Sequence, residues 1–214
     1  MIAFLFWKVY IEYIVHRCFL FGCGMIRRLF ALLLISVTAC ACSTTPPKKP
    51  NDLCEIFKEK DNWYDDAQDV YKRRGVPINI AMAFMYHESG YVDDARPPMR
   101  WFLFIPYGRG SSAYGYAQAQ DPVWDDYVSE AGGFFSSRDD FADSLDFISW
   151  YILKTNKVNN VKINDVYNQY LNYHEGWGGY KKKTHAKNKS LQQLARRVEK
   201  TAGSYAKQLR NCDL

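Results

Sequence analysis

From residue 51 to the C-terminus the apolar residues return every three or four positions, and alternation of period two is nearly absent. Leu53, Ile56 and Phe57 begin the pattern, and Tyr64, Ala67, Val70 and Tyr71 continue it. Pro77 then precedes an apolar stretch from Ile78 to Ser89, at the helix start, where a missing N–H is harmless. Further helices are expected over 122–131, 139–154, 163–175 and 190–211; Phe141, Leu145, Ile148 and Ile152 lie along one face of the second of these. A chain patterned this way buries its stripes helix on helix, so an all-α fold is expected, one domain spanning 52–214. Hydrophobic residues make up 48% of the chain, enough for a core, which excludes disordered and collagen-like classes. Its 16 Tyr, 13 Phe and 6 Trp exceed what one core needs and leave rings for a groove that binds sugar or peptide.

The residues before this domain read differently. Met25-Ile26-Arg27-Arg28, an apolar run from Leu29 to Val37, and Thr38-Ala39-Cys40 form a basic region, a short hydrophobic region and a small-residue cleavage site. Residues 1–39 are therefore expected to be a secretion signal, with translation starting at Met25. The run is too short to span a bilayer, which needs roughly 20 apolar residues. Val37-Thr38-Ala39-Cys40 resembles a lipobox, which makes Cys40 the expected lipidation site; choosing Cys42 instead would leave an even set of remaining cysteines. Ala41 lacks the acidic character of an inner-membrane retention signal, so the expected location is the periplasmic face of the outer membrane. Ser43 to Pro50 reads as a polar, proline-rich tether that does not pack. Removing the leader takes away Lys8, Arg17, Arg27, Arg28 and Glu12, so most of the net charge of +5 belongs to the signal and the argument for an anionic partner weakens. Cys54 and Cys212 stand at the two ends of the domain, where termini often meet, and a disulfide is expected between them.

Two segments break the helical pattern: a long loop over 92–115 and a glycine-rich turn, Gly176 to Tyr180, with Lys181, Lys182 and Lys183 behind it. The lysine run reads as a solvated loop, and no nucleic-acid partner is expected. His87-Glu88 and His174-Glu175 do not continue into a zinc motif, because Tyr91 and Gly178 stand where the second histidine belongs; neither metal nor cofactor is expected. Glu88 closes an apolar helix at the border of core and loop. A carboxyl so placed is desolvated, holds its proton near neutral pH and suits general acid catalysis.

Three segments in order give Glu88 more weight: Glu88-Ser89-Gly90-Tyr91, then Ser111 to Gln118 (Ser-Ser-Ala-Tyr-Gly-Tyr-Ala-Gln), then Tyr173-His174-Glu175-Gly176. Together with Ala95 to Pro98, Trp150-Tyr151 and Tyr173 to Tyr180, this set resembles the lipoprotein branch of the soluble lytic transglycosylase domain family, over nearly all of 52–212. The resemblance implies a lysozyme-like helical domain acting on peptidoglycan glycan strands as a monomer. It implies non-hydrolytic cleavage of the β-1,4 bond between N-acetylmuramic acid and N-acetylglucosamine, leaving 1,6-anhydro ends. Glu88 matches the family's acid/base and Tyr173 the tyrosine facing it. Ser89, Tyr114, Gly115, Tyr116, Gln118, Glu175 and Trp177 are the expected substrate-binding positions, with Trp101 and Trp124 as further candidates for stacking on sugar rings. Tyr116-Ala117 and His174-Glu175 depart from the family's Leu-Met and Asn-Ala. Two other readings stay open: a muramidase with Glu175 or Asp93 as second carboxylate, and a non-catalytic peptidoglycan-binding lipoprotein.

Overall fold

A computed structural model describes residues 45–214; the expected signal, Cys40 and Cys42 lie outside the described residues. Among the described residues seven α-helices follow one another: α1 (Leu53–Glu59), α2 (Trp63–Arg74), α3 (Ile78–Ser89), α4 (Asp121–Glu130), α5 (Phe141–Asn159), α6 (Val166–Lys181) and α7 (Lys189–Leu209). Their boundaries have local causes. Asp52, Asp140, Asp165 and Asn188 each accept a backbone N–H from the first turn of the helix they precede, and Gly75 and Gly90 end α2 and α3 in the left-handed conformation. The all-α reading holds for this lysozyme-like helical domain, with one exception. Within the expected 92–115 loop, β1 (Met99–Phe102) and β2 (Ile105–Arg109) pair as a small antiparallel hairpin.

Helix α5 runs through the middle and buries Phe141, Leu145, Phe147, Ile148, Trp150, Tyr151 and Ile152. Helices α2, α3 and α6 pack around it, and α7 covers α3 and α6. Asp146 is an acid inside this core, and it is fully engaged. Arg74 donates to both of its carboxylate oxygens (3.0 and 2.6 Å) and Tyr127 donates to one at 2.9 Å, which ties α2, α4 and α5 together.

The ends of the domain meet as expected: Cys54 and Cys212 form a disulfide with their Cα atoms 5.6 Å apart. Hydrogen bonds from the Leu53 N–H to Gln208 Oε1 (2.9 Å) and from Gln208 Nε2 to the Asn51 carbonyl (3.0 Å) reinforce the junction. The tether expectation needs correction over 45–50. Pro47 is buried, the Lys48 N–H donates to Glu59, Lys49 pairs with Glu55 at 2.9 Å, and the Pro50 carbonyl accepts from the Tyr205 hydroxyl. Low intrinsic packing propensity is overridden here because each proline-flanked polar group finds a partner on α1 or α7.

Candidate functional site

Glu88 occupies the last turn of α3 and Phe84 lies one turn before it, so both project from one face. That face meets α6. Phe84 touches Tyr170 and Tyr173 edge-on, with ring centroids 5.2 and 5.4 Å apart. Helix α3 stops there because Gly90 adopts φ 64° and returns its N–H to the Tyr86 carbonyl. Tyr91 follows, also left-handed at φ 65°, fully buried, its hydroxyl 3.1 Å from the Met82 carbonyl. A tyrosine held at positive φ pins the exit of the helix carrying Glu88.

Burial pushes the Glu88 carboxyl up to about 7, against the hydrogen-bonding Tyr170 hydroxyl, which favours the ionised form. Its Oε1 is sealed from solvent and has no hydrogen-bond partner. Like-charge repulsion is not among the causes of this shift; desolvation leads. Burial and the nearby carboxyl raise Tyr170 and Tyr173 well above the ordinary phenol range, so both stay protonated donors. The neighbouring His87 turns the other way: its Nε2 lies 2.9 Å from Thr201 Oγ1 on α7, and burial with Arg197 lowers its pKa. Among the described residues no group of three or more His, Cys, Asp or Glu is arranged to hold a metal ion.

The segment 114–119 forms a strap anchored from three sides. The Gly115 N–H donates to the Ala95 carbonyl at 3.0 Å, the Tyr116 N–H to the Arg138 carbonyl at 3.1 Å, and the Tyr173 hydroxyl to the Ala117 carbonyl at 2.5 Å. Gln118 Nε2 adds bonds to the Ala95 and Gly115 carbonyls, both 2.9 Å. Gly115 is required on two counts, since its φ is 76° and a Cβ there would sit 1.9 Å from the Arg138 carbonyl oxygen. Tyr173 is thus the link between the strap and the face carrying Glu88.

The other expected site residues divide by burial. Tyr114 is partly exposed, with its hydroxyl 3.0 Å from Asp139 and the Arg96 guanidinium 4.3 Å over its ring. Ser89 donates to the Met85 carbonyl at 3.4 Å. Tyr116 does not suit a substrate contact: it is 1% exposed and packs edge-on against Trp63 and Phe141, so it backs the strap from the core. Trp124 is likewise core, against Tyr127 and Phe147. Asp93 is buried. Glu175 accepts from the Thr184 hydroxyl and lies 3.5 Å from His174.

The expected glycine-rich turn is instead a kink. Helix α6 continues to Lys181, and only Gly176 leaves helical geometry, at φ 70° and ψ 161°. Asn159 on α5 answers the break, donating to Asn172 Oδ1 (2.7 Å) and to the Trp177 carbonyl (3.1 Å). The kink aims Trp177 at α5, where its Nε1 donates to Thr155 at 2.9 Å. Its ring stacks on Tyr151 at 4.5 Å, and Lys154 lies 4.9 Å over it. Of the rings of Trp150, Tyr151 and Trp177 only Trp177 is partly exposed; it rests on the buried Trp150 and Tyr151, and Tyr151 in turn touches Tyr173 edge-on. Tyr170, the hydrogen-bonding neighbour of Glu88, was missed in the sequence. It stands three residues before Tyr173, so helical spacing marks it as facing the same way.

No curated protein and no solved structure matches this chain. The model of the transglycosylase SLT domain family matches residues 30–212, a span that takes in α1 to α7, the strap and both disulfide cysteines. With a match over most of its length, the chain belongs to the transglycosylase SLT domain family, whose activity is lytic cleavage of peptidoglycan.

Proposed function

We propose that this protein is a lipid-anchored lytic transglycosylase in which Glu88 serves first as acid and then as base. The observation that carries this reading is the desolvated Glu88 carboxyl, raised to about 7 with no like charge driving the shift. Protonated Glu88 gives its proton to the glycosidic oxygen as the bond from that oxygen to C1 of N-acetylmuramic acid breaks. The C6 hydroxyl oxygen of the same sugar then closes on C1, and its proton returns to Glu88. No water is consumed and the carboxyl ends as it began. A hydrolase of the usual kind employs two carboxyls, the second as nucleophile or base; the single-carboxyl reaction asks for no such role from Glu175 or Asp93. Tyr170 orients the Glu88 carboxyl, and Tyr173 positions the strap against it. Tyr114, Gln118 and Trp177 border the path of the glycan. The leader supplies an acyl anchor at Cys40, holding the domain at the periplasmic face of the outer membrane.

Digestion of purified sacculi, read by mass spectrometry, tests the reaction. The expected fragments end in 1,6-anhydro-N-acetylmuramic acid and are one water lighter than hydrolysis products. Reducing ends would identify a muramidase, and intact sacculi a binding protein.

A further inference from the structure

Every residue of β1, of β2 and of the turn between them is exposed, including Trp101, Phe102, Leu103, Phe104, Ile105 and Tyr107. Phe104 at the tip is 92% exposed. The pairing register sorts these residues into tiers. Met99 faces Arg109 and Arg100 faces Gly108 at the base; Trp101 faces Pro106 with Tyr107 beside it; Phe102 faces Ile105, and Leu103 and Phe104 make the turn. Arginines thus lie at the base, the amphipathic rings Trp101 and Tyr107 come next, and purely apolar side chains fill the end. From Ala95 to Gln120 the chain carries Arg96, Arg100 and Arg109 and no acid.

That order reproduces the layering of a lipid–water interface: cations at the phosphates, Trp and Tyr at headgroup level, Phe, Leu and Ile in the acyl chains. Two rungs and a turn reach about 7 Å, within the 5–10 Å depth of interfacial segments. The turn is also poorly chosen for folding alone. Leu103 sits at φ 55° in the first position of a two-residue turn, where a positive φ ordinarily calls for glycine. Leu103 is 78% exposed, so packing against the domain does not account for it. We infer that the 99–109 hairpin is a membrane-inserting element that docks the domain on anionic phospholipid. Charge complementarity favours lipid over an apolar protein groove, since the arginines at the base meet phosphates once the tip is buried. The hairpin needs no acyl chain for this, although an anchor at Cys40 would leave only residues 41–44 before the body of the domain.

The full chain, reconstituted with vesicles whose acyl chains are brominated, tests the proposal. The difference in emission between it and its Trp101→Phe variant isolates Trp101. With anionic phosphatidylglycerol present, Trp101 emission is expected to shift to the blue and be quenched, and the Leu103→Asp/Phe104→Asp variant loses both effects while its circular dichroism is unchanged. Three results would overturn the proposal: no quenching of Trp101, quenching that survives in the double variant, or a Trp101 response to sacculi in place of vesicles. Flotation of the chain with vesicles without Trp101 quenching would separate the two readings, leaving the acyl anchor standing and the hairpin proposal refuted.

Discussion

Glu88→Gln is expected to lower the release of muropeptides from sacculi by about 10³-fold, in the range that loss of a general acid–base group costs. The variant keeps the shape of the side chain and removes only its proton chemistry, so its fold should persist. It should also be more stable than the parent at alkaline pH. In the unfolded chain Glu88 ionises near its ordinary 4.5, whereas burial holds the folded group near 7. Below about 4.5 both states are protonated and the group costs nothing. As pH rises from there to about 7 the unfolded chain gives up its proton first, and the folded state loses roughly 3 kcal/mol, at 1.36 kcal/mol per pKa unit. Glutamine has no proton to lose, so urea unfolding at pH 8 should show the variant ahead by up to that amount. Equal stabilities at pH 5 and pH 8 would deny the desolvation on which the mechanism depends.

Cys212→Ser should cost about 4–5 kcal/mol of unfolding free energy, the chain-entropy value for a loop this long. The bridge spans a sequence separation of 158, so it restrains the unfolded chain over nearly the whole domain. Gln208 still holds the start of α1 on α7, and Tyr205 the Pro50 carbonyl just before it, so a folded but less stable domain is the expected state of the variant. Its melting temperature should fall by roughly 10–20 °C, at 2–4 °C per kcal/mol for a domain of this size. A loss below about 1 kcal/mol would mean that those hydrogen bonds already close the ends without the bridge.

Local patterns carried much of this structure into the sequence. The stripe Phe141, Leu145, Ile148 and Ile152 announced the central helix α5, and Pro77 marked the start of α3. Glu88 was singled out because an apolar helix ended at it and because three ordered segments resembled a family pattern, and its burial agrees with the first of these. What escaped depends on long-range contacts. The hairpin at 99–109 lacks alternation, because both its faces are exposed and nothing selects a polar one. Gly176 read as a turn, yet Tyr151 and Asn159 on a different helix donate to Asn172 and Trp177 on the two sides of the kink, and α6 continues. Tyr116 resembled a pocket residue by its place in the motif, while Trp63 and Phe141 draw its ring into the core. The packing of residues 45–50 was hidden for the same reason, since its partners lie on α1 and the C-terminal helix.

In the proposed mechanism burial alone keeps the Glu88 carboxyl protonated near neutrality, able to act as acid and then base. Carbon-13 NMR titration of the Glu88 side-chain carboxyl, assigned by its absence from Glu88→Gln, measures this in the resting protein. A midpoint near 7 is the predicted result. A midpoint near 4.5 would show a solvated carboxylate, and the single-carboxyl mechanism would lose its acid.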